Sequence, residues 1–363
     1  MRWTDDRQRV ASPARSLQRG LLPFKNGSPR VQRRVGRPYG DNTRRDLAPS
    51  STIRTMTSAL DREGRHGVVS AQWLAGALAR PDLVVVEASW APQAEAGEYL
   101  AGHIPGAVHL NTDDFENGFP TWKLRAIAKL QDVIGGLGIA TDATVVVYGA
   151  QHIAVCRVWW AMLTAGVGDV RILDGGLQAW RRAALPLEAG LSSREPAAFE
   201  GSPRPEFLAL TEYVRERFAG EGAWVADVRS RAEFDGITSG YGYLDAKGRI
   251  PLASHLGDAD DNARLYIDDR GMMRDPAAIV ASWVAAGITG SPPSFDRELI
   301  FACGSGWRSS AAFFTAWRLG YRNIRNYSDG WCGWSTRYVA DATAAGGTPG
   351  WRQERTGNPS LPA

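Results

Sequence analysis

Cysteine is scarce in this sequence, with three residues in a chain of 363. Three cysteines cannot form a disulfide framework for a chain of this length, and they lack the paired short spacings of a zinc site. The sequence also lacks any apolar run near the roughly 18 residues that span a bilayer, and no apolar segment follows the basic N-terminus as in a signal peptide. We therefore expect a cytoplasmic protein with reduced thiols that neither crosses a membrane nor is secreted.

Acidic side chains are few at the N-terminus. Residues 1–55 hold 13 basic and 4 acidic residues, whereas the rest of the chain holds 29 and 35, so the formal charge of +3 comes from the tail. Rich in Arg, Ser, Pro and Gly and without apolar periodicity, residues 1–62 are predicted to be a disordered basic tail. Asp5, Asp6 and the missing amphipathic pattern disfavour a nucleic-acid-binding arm or a transit segment. A gene start extended beyond Met56 is the alternative explanation.

From residue 63 onward the chain contains two copies of one long pattern. The spacing of residues 149–166 matches that of residues 303–320, and His-Ile-Pro at 103–105 aligns with Arg-Ile-Pro at 249–251. A repeat of this length indicates a duplicated domain. The matching segments are LVVVEASW (83–90), AGHIPGAVHL (101–110), TVVVYGA (144–150) and RILDGGLQAW (171–180) in the first copy, and AWVADVRSRAEF (223–234), KGRIPLASHL (247–256), ELIFACGSGWR (298–308) and NIRNYSDGWCGW (323–334) in the second.

The two copies predict two domains of the α/β class, each a mainly parallel sheet flanked by helices. Short β-branched runs alternate with helical stretches, as is typical of that architecture. We place the domains at residues 63–188 and 208–345, with a Pro, Gly and Ser-rich linker at 189–207 and a C-terminal tail at 346–363. Ligands of such sheets bind beyond the carboxyl ends of the strands, which directs attention to residues 303–308.

Cys303 has a setting that favours catalysis. The run ELIFA predicts a buried strand before it, and SSAAFFTAWRLG predicts a helix soon after it. Gly304 and Gly306 allow the loop to turn its N–H groups inward as an anion cradle at the helix N-terminus. Helix N-termini and cations such as Arg308 favour the thiolate form of a cysteine, which is the nucleophile. A small buried hydrophobe is the alternative reading, but the Gly, Ser and Arg neighbours indicate a catalytic nucleophile.

Together these motifs resemble the rhodanese family, and in particular its tandem-domain sulfurtransferases that act on thiosulfate or 3-mercaptopyruvate. The resemblance covers residues from about 65 to 340. In that family the N-terminal copy is usually inactive and the C-terminal copy holds the cysteine, and here Gly149 stands where the second copy has Cys303. The motifs that carry the resemblance are GHIPGA (102–107), DGGLQAW (174–180), DVRSRAEFDG (227–236) and the loop CGSGWR (303–308).

The resemblance implies that Cys303 takes the sulfane sulfur of a small anionic donor as a persulfide and passes it to cyanide or a thiol. It implies no metal and no organic cofactor, and neither a membrane nor a nucleic acid as partner. Thiosulfate is the first expected donor, because the loop and the segment GYGYLDAKGRIP (240–251) resemble a bacterial subset of thiosulfate sulfurtransferases. The start CGSG resembles the mercaptopyruvate branch, so 3-mercaptopyruvate is the second. The expected substrate-binding residues of the loop are Gly304, Ser305, Gly306, Trp307 and Arg308.

Two other functions fit parts of the pattern. Cysteine phosphatases of related fold resemble C-x5-R, whereas residues 303–308 read C-x4-R, a smaller cradle that favours sulfur over phosphate. A persulfide carrier that delivers sulfur to a protein partner remains the alternative from a different class. The sequence leaves the oligomeric state open.

Two residues outside the loop are candidates by family analogy. Arg229 of the D-x-R motif is expected either to bind substrate or to pair with Asp227 or Glu233. The two-domain enzymes of the family have a second donor-binding arginine where this chain has Glu233. His103 matches a histidine that mercaptopyruvate enzymes are described as using in a Ser-His-Asp arrangement with the loop serine, here Ser305; a capping histidine at a turn is the alternative.

The other two cysteines are expected to be structural. Cys156 lies on an apolar helical stretch, which favours a core thiol. Cys332 follows the sequence DGW, and a resolving disulfide with Cys303 is the less favoured alternative for it, because nothing in the spacing forces the two cysteines together.

Overall fold

The protein is described by a computed structural model that covers residues 67–119, 121–218, 223–256, 265–285, 297–341 and 350–353. The predicted basic tail and most of the predicted C-terminal tail lie outside these residues. No helix within the described ranges combines the length and the apolar character needed to cross a membrane.

A five-stranded sheet forms the first half of the described chain. Its strands are β1 (Val68–Val69), β2 (Leu83–Ser89), β3 (Val108–Asn111), β4 (Thr144–Tyr148) and β5 (Asp169–Leu173). They lie in the order β1-β5-β4-β2-β3, and each neighbouring pair is parallel. Strands β2 and β4 are valine-rich and buried almost throughout, as expected for central strands of a parallel sheet covered on both faces.

Five α-helices accompany this sheet: α1 (Ala71–Ala77), α2 (Gly97–Ala101), α3 (Ile127–Gly136), α4 (His152–Ala165) and α5 (Gly176–Arg182). Helix α4 is buried on all sides, from residue 154 to residue 165. It ends at Gly166, whose left-handed φ of 107° is suited to glycine. A helix that is apolar all round belongs between layers of structure rather than at the surface.

The second half repeats the first. Its five strands take the order β6-β10-β9-β7-β8, again with parallel neighbours. They are β6 (Leu208–Ala209), β7 (Ala223–Asp227), β8 (Ser254–His255), β9 (Glu298–Ala302) and β10 (Ile324–Tyr327). The helices are α6 (Thr211–Phe218), α7 (Arg231–Phe234), α8 (Pro276–Ala285), α9 (Trp307–Arg318) and α10 (Gly330–Arg337).

The shared strand order confirms the predicted fold class of two α/β domains with mainly parallel sheets. Gly149 directly follows β4 and Cys303 directly follows β9, so the two residues occupy corresponding positions. The predicted tail contains one described strand, β12 (Gly350–Gln353), which pairs antiparallel with β11 (Tyr338–Asp341). The exact bounds of the two domains stay a prediction.

The predicted linker, residues 189–207, runs along the first domain and is tied to it by main-chain hydrogen bonds. The N–H of Ala197 donates to the carbonyl of Gly135 (2.9 Å), and that of Arg204 donates to the carbonyl of Thr164 (2.8 Å). A Cβ at position 135 would lie 2.7 Å from the carbonyl oxygen of Ala197. Glycine therefore permits the close approach of the linker.

Helices α4 and α9 join the two domains. Trp159 of α4 packs edge-on against Phe314 of α9 at a centroid distance of 4.6 Å, and both belong to one buried apolar cluster that draws residues from both sheets. Edge-to-face aromatic pairs of this kind are favourable beyond the area that they bury. Since α4 and α9 begin just after positions 149 and 303, their packing fixes the second domain's loop relative to the first domain.

Candidate active site

Cys303 lies at the carboxyl end of β9, and its side chain is almost fully buried, with 1% exposed. The chain turns through residues 304–306 and enters α9 at Trp307. Gly306 caps this helix with φ at 83°, a conformation that costs residues with a Cβ more than it costs glycine. A Cβ there would also lie 2.7 Å from Nη1 of Arg157 and 2.9 Å from the backbone of Ser328. The loop therefore needs glycine at position 306 for two separate reasons.

Backbone carbonyl groups of the loop accept hydrogen bonds from the described structure around it, whereas its backbone N–H groups do not donate to that structure. Helix α10 donates the N–H of Trp331 to the carbonyl of Cys303 (2.7 Å) and that of Cys332 to the carbonyl of Gly304 (2.9 Å). Within the described part of the chain, the N–H groups of residues 304–306 donate to no acceptor. Consecutive free N–H groups beside a helix N-terminus bind anions. The loop can therefore hold a negatively charged group next to Sγ of Cys303.

Ser309 places a hydroxyl against the thiol, and the sequence reasoning missed it. Its Oγ lies 3.5 Å from Sγ of Cys303 and 2.6 Å from Oδ1 of Asn326. The hydroxyl has one proton, which it can donate to Oδ1 of Asn326 or to Sγ of Cys303, and donation to Sγ stabilises the thiolate. Asn326 in turn donates to the carbonyl of Gly306 (2.9 Å). The available signal was the position of Ser309 in the first turn of the helix after the loop.

The first domain reaches the loop through a buried ion pair. Nε of Arg157, from α4, lies 2.7 Å from Oε1 of Glu116, and the two side chains are 2% and 1% exposed. Oε2 of Glu116 accepts the indole N–H of Trp307 at 3.0 Å, while Arg157 donates to Oγ of Ser328 at 3.0 Å. Trp90 stacks on Trp307 at 4.8 Å. Trp307, predicted to bind substrate, thus fastens the loop to the first domain.

Burial shapes the electrostatics of this pair. It raises the pKa of Glu116 above the ordinary value, although the charge of Arg157 and its hydrogen bond act in the opposite direction. A carboxylate in this position depends on its arginine to remain charged. The ion pair is therefore a coupled unit whose members cannot be removed one at a time without cost.

Arg308 is paired rather than open to solvent. Its guanidinium donates to both carboxylate oxygens of Glu233, at 2.8 and 2.6 Å, and to the hydroxyl of Tyr241. Glu233 also closes a capping box with Ser230 at the start of α7. Burial acts to raise the pKa of Glu233, but Arg308 outweighs it and the pKa is lowered. The Glu233 carboxylate thus stays charged. It compensates the charge of Arg308, which the sequence analysis expected to bind the sulfur donor.

Tyr241 covers the loop from the other side. A Cβ at position 304 would overlap its hydroxyl group, so Gly304 is required by close approach. Tyr243 lies beside Tyr241 at 5.3 Å and packs against Trp122 of the first domain at 5.0 Å. Both tyrosines belong to the segment 240–251 that the sequence singled out, and they form an aromatic cover over Cys303.

Arg229 pairs with Asp227, which is one of the two roles that the sequence analysis considered for it. It is fully buried and donates to both carboxylate oxygens of Asp227, through Nε at 3.0 Å and Nη2 at 2.7 Å, and to the carbonyl of Gly248 at 2.8 Å. Its guanidinium lies 5.0 Å from the ring centroid of Trp331. Since the N–H of Trp331 holds the carbonyl of Cys303, Arg229 supports the loop from behind.

His103 lies in the first domain. Its ring stacks on Tyr99 at 4.0 Å, and Nδ1 is 2.9 Å from the carbonyl oxygen of Tyr99. No hydrogen bond joins it to Ser305 among the residues that the structure covers. The structure therefore does not bring together these two members of the Ser-His-Asp arrangement.

Cys332 lies closer to the catalytic loop than its sequence position indicated. Its N–H binds the carbonyl of Gly304, and burial, together with the nearby Cys303, raises its pKa to about 12. The proximity arises because β9 and β10 are neighbours, so the helix after β10 meets the loop after β9. Cys303 and Cys332 are both free thiols. Cys156 is fully buried in α4, as predicted, and burial raises its pKa.

The corresponding position in the first domain has no room for a nucleophile. A Cβ on Gly149 would overlap the carbonyl oxygen of Ala88 and lie 3.1 Å from Cγ2 of Val155. A cysteine there would have to displace the backbone of β2. The first copy therefore lacks both the thiol and the space for one.

Replacing Arg157 with Met is expected to lower the free energy of unfolding by about 3–5 kcal/mol, because it leaves the buried Glu116 carboxylate without its counter-ion. The matched control is Arg215→Met, which breaks the exposed pair with Glu212 and should cost less than about 1 kcal/mol. Urea titration followed by tryptophan fluorescence measures both. Adding Glu116→Gln to Arg157→Met should restore part of the loss. Equal effects of the two arginine variants would contradict the coupling.

Comparison with known proteins agrees with this geometry. The model of the rhodanese-like domain matches the chain twice, at residues 70–183 and 210–337. The chain is 37% identical over 262 residues to the protein named thiosulfate sulfurtransferase YnjE of Escherichia coli (strain K12), covering 70% of this chain and 58% of that protein. It is 28% identical over 285 residues to 3-mercaptopyruvate sulfurtransferase of Homo sapiens, covering 75% and 93%.

The chain is also similar in overall structure to a solved enzyme. The anaerobic ergothioneine biosynthesis enzyme from Chlorobium limicola, in complex with trimethyl histidine, is 31% identical with a TM-score of 0.67, and the match covers 76% of this chain and 69% of that one. The chain thus spans nearly all of one curated relative and 58% of another. The predicted resemblance is confirmed: the chain belongs to the rhodanese family and carries its domain twice.

Proposed function

We propose that the protein is a sulfurtransferase that moves a sulfane sulfur from thiosulfate to cyanide or a thiol through a persulfide on Cys303. The observation that carries this proposal is the set of free N–H groups at residues 304–306 beside the buried thiol. A persulfide anion formed there meets donors that are already in place, so its charge is stabilised at little reorganisation cost. The names of the two curated sulfurtransferase relatives support the same class of reaction.

The reaction has two steps that balance around one sulfur atom. The Cys303 thiolate attacks the outer sulfur of thiosulfate, the S–S bond of the donor breaks, and sulfite leaves with the bonding electron pair. Cyanide or a thiolate then attacks the outer sulfur of the persulfide, which forms thiocyanate or a new persulfide and returns the Cys303 thiolate. Because a free thiol is needed between cycles, a reducing, cytoplasmic setting suits the enzyme.

Donor recognition depends mainly on the loop N–H groups in this proposal. The arginines beside the loop are compensated, Arg308 by Glu233, Arg229 by Asp227 and Arg157 by Glu116. A site of low net charge accepts a carboxylate as readily as a dianion, which keeps 3-mercaptopyruvate as the second donor. The name of the human relative supports that alternative, and the name of the Escherichia coli relative supports thiosulfate.

Intact-protein and peptide mass spectrometry tests the proposal. Incubation with thiosulfate is expected to add one sulfur atom to the peptide that contains Cys303, and cyanide is expected to remove it as thiocyanate. Cys332→Ser should load normally, whereas Cys303→Ser should not load. If neither thiosulfate nor 3-mercaptopyruvate loads Cys303, the proposal is wrong. Loading without discharge to cyanide or small thiols would instead support a persulfide carrier.

Replacing Ser309 with Ala is expected to slow the loading of Cys303 by about tenfold, the value of one hydrogen bond to a reacting group. The variant removes the oxygen that lies 3.5 Å from the thiol. Thr315→Ala is the control, since that hydroxyl is buried in the same helix and binds the carbonyl of Ala311. Single-turnover loading with quenched-flow sampling measures the rate. Equal rates for the two variants, at unchanged melting temperatures, would remove Ser309 from the mechanism.

Replacing Glu233 with Gln is expected to lower the KM for thiosulfate by about threefold to tenfold, because it leaves the charge of Arg308 uncompensated. A unit charge about 8 Å away contributes about 2 kcal/mol at an effective dielectric constant of 20, before screening. Glutamine still fits the capping box with Ser230, so α7 should persist. The control Glu212→Gln removes a surface carboxylate that pairs with Arg215 and should leave KM unchanged. An unchanged KM in Glu233→Gln would show that the donor does not sense this ion pair.

A further inference from the structure

The first domain has a cavity at the position that corresponds to the catalytic loop of the second. Its volume is about 410 Å³, within the range of small-molecule sites. The carboxyl ends of β2, β4 and β5 and the starts of α4 and α5 line it, and residues 267–273 of the second domain supply one wall. Gly149 lies on its floor in place of a nucleophile. The first domain thus has a cavity at this position but no thiol.

The wall from the second domain is fixed in place. The N–H of Met273 donates to Oδ1 of Asp174 at 2.8 Å, and Arg182 lies 3.5 Å from the sulfur of Met272. The turn itself is closed by the N–H of Asp268, which donates to the carbonyl of Met272 at 2.9 Å. The cavity is therefore formed before any ligand arrives, which lowers the cost of binding.

Two buried polar groups on the cavity wall have unused hydrogen-bonding capacity. His103 is fully buried, and its Nδ1 lies against a carbonyl oxygen, so Nδ1 carries the proton and Nε2 is a bare acceptor with no partner. The buried hydroxyl of Tyr148 accepts the N–H of Ile104 at 3.2 Å, while within the described ranges its own proton has no acceptor. Buried polar groups are normally paired. An acceptor and a donor that line the same cavity match a ligand group that both donates and accepts hydrogen bonds, such as a carboxamide.

The rim of the cavity carries charges of both signs that do not pair with one another. Glu98 and Asp269 are acidic, Arg181 and Arg270 are basic, and all four are exposed lining residues. In the part of the chain that the structure covers, none of these four side chains forms a hydrogen bond or an ion pair. Around Cys303, by contrast, each arginine has its carboxylate. Separate charges of opposite sign around one cavity suit a ligand that carries both.

Arg182 also lines the cavity and adds a third basic residue, whose guanidinium lies against the sulfur of Met272 at 3.5 Å. Oε2 of Glu87 lies 2.7 Å from Nδ1 of His109. The charge of Glu87 acts to raise the pKa of the Tyr148 hydroxyl, and the charge of Arg181 acts to lower it. Burial lowers the pKa of His152 to about 4, so this histidine is neutral at pH 7. A dianion would meet the two acidic residues at the rim. A ligand with negative charge alone would leave both of these carboxylates without a partner.

We propose that the first-domain cavity binds a small zwitterionic amino acid with an uncharged side chain that both donates and accepts hydrogen bonds. Arg181 and Arg270 bind the ligand carboxylate, Glu98 and Asp269 bind its ammonium group, and His103 and Tyr148 bind its side chain. The inference goes beyond the proposed function, because it uses no atom of the Cys303 loop. The position that corresponds to Cys303 thus serves as a ligand site in the first domain.

Isothermal titration calorimetry on the full chain tests the proposal, with L-glutamine as the probe. Two analogues each lack one charge: 4-aminobutanamide has no carboxylate, and 4-carbamoylbutanoate has no ammonium group. L-norleucine keeps both charges and lacks the carboxamide. L-glutamine is expected to bind at least about tenfold more tightly than each of the three, the value of one charge-assisted hydrogen bond. Equal binding of all four, or no binding of any, would overturn the proposal.

Variants locate the site. Arg181→Gln is expected to weaken L-glutamine about tenfold, whereas Arg194→Gln, an exposed arginine outside the cavity lining, should not. His103→Phe keeps a ring stacked on Tyr99 and should abolish the preference for L-glutamine over L-norleucine. Cys303→Ser should bind L-glutamine unchanged. Loss of binding in Cys303→Ser, or full binding in Arg181→Gln, would overturn the assignment, and neither result depends on whether Cys303 transfers sulfur.

Discussion

The buried ion pair between Arg157 and Glu116 is the contact on which the placement of the loop at residues 303–308 depends. It connects helix α4 of the first domain to Trp307, the first residue of α9, and to Ser328 behind the loop. Arg157 also closes the space behind Gly306. Buried pairs are weak sources of stability but strict constraints on geometry. The first domain, without a nucleophile of its own, is thus a structural part of the second domain's site.

The fixed position of the loop at residues 303–308 explains how it can bind a negative charge. Its carbonyl groups are bound by α10, and its N–H groups therefore remain available to an anion. Tyr241 and Tyr243 cover the loop and limit access of water, while the Arg308–Glu233 pair keeps the surroundings near neutrality. In this account the persulfide is stabilised by oriented N–H groups more than by net positive charge.

The sequence was sufficient for the fold class and for the position of Cys303, because strand runs, glycine spacing and the repeat are local signals. Gly306 and the start of α9 follow from the same short segment. Arg157 and Glu116 were not predicted, since their partners lie far away in sequence and only the packing of α4 on α9 brings them to the loop. Arg308 was predicted as a cation that favours the thiolate and binds the donor, and this role stays a prediction. Its pairing with Glu233 depends on the placement of α7, which a linear motif does not encode.

The two domains therefore differ in their roles. The second domain holds the Cys303 thiol, whereas the first domain positions the loop around that thiol and has a cavity where Gly149 stands in place of the cysteine. The central claim is that sulfur resides on Cys303 within the N–H cradle. A crystal structure of the protein after treatment with thiosulfate tests it most directly. We predict one added sulfur atom bonded to Sγ of Cys303 and within about 3.5 Å of the backbone nitrogens of residues 304–306. An added sulfur on Cys332, or one on Cys303 that points away from these nitrogens, would contradict the account.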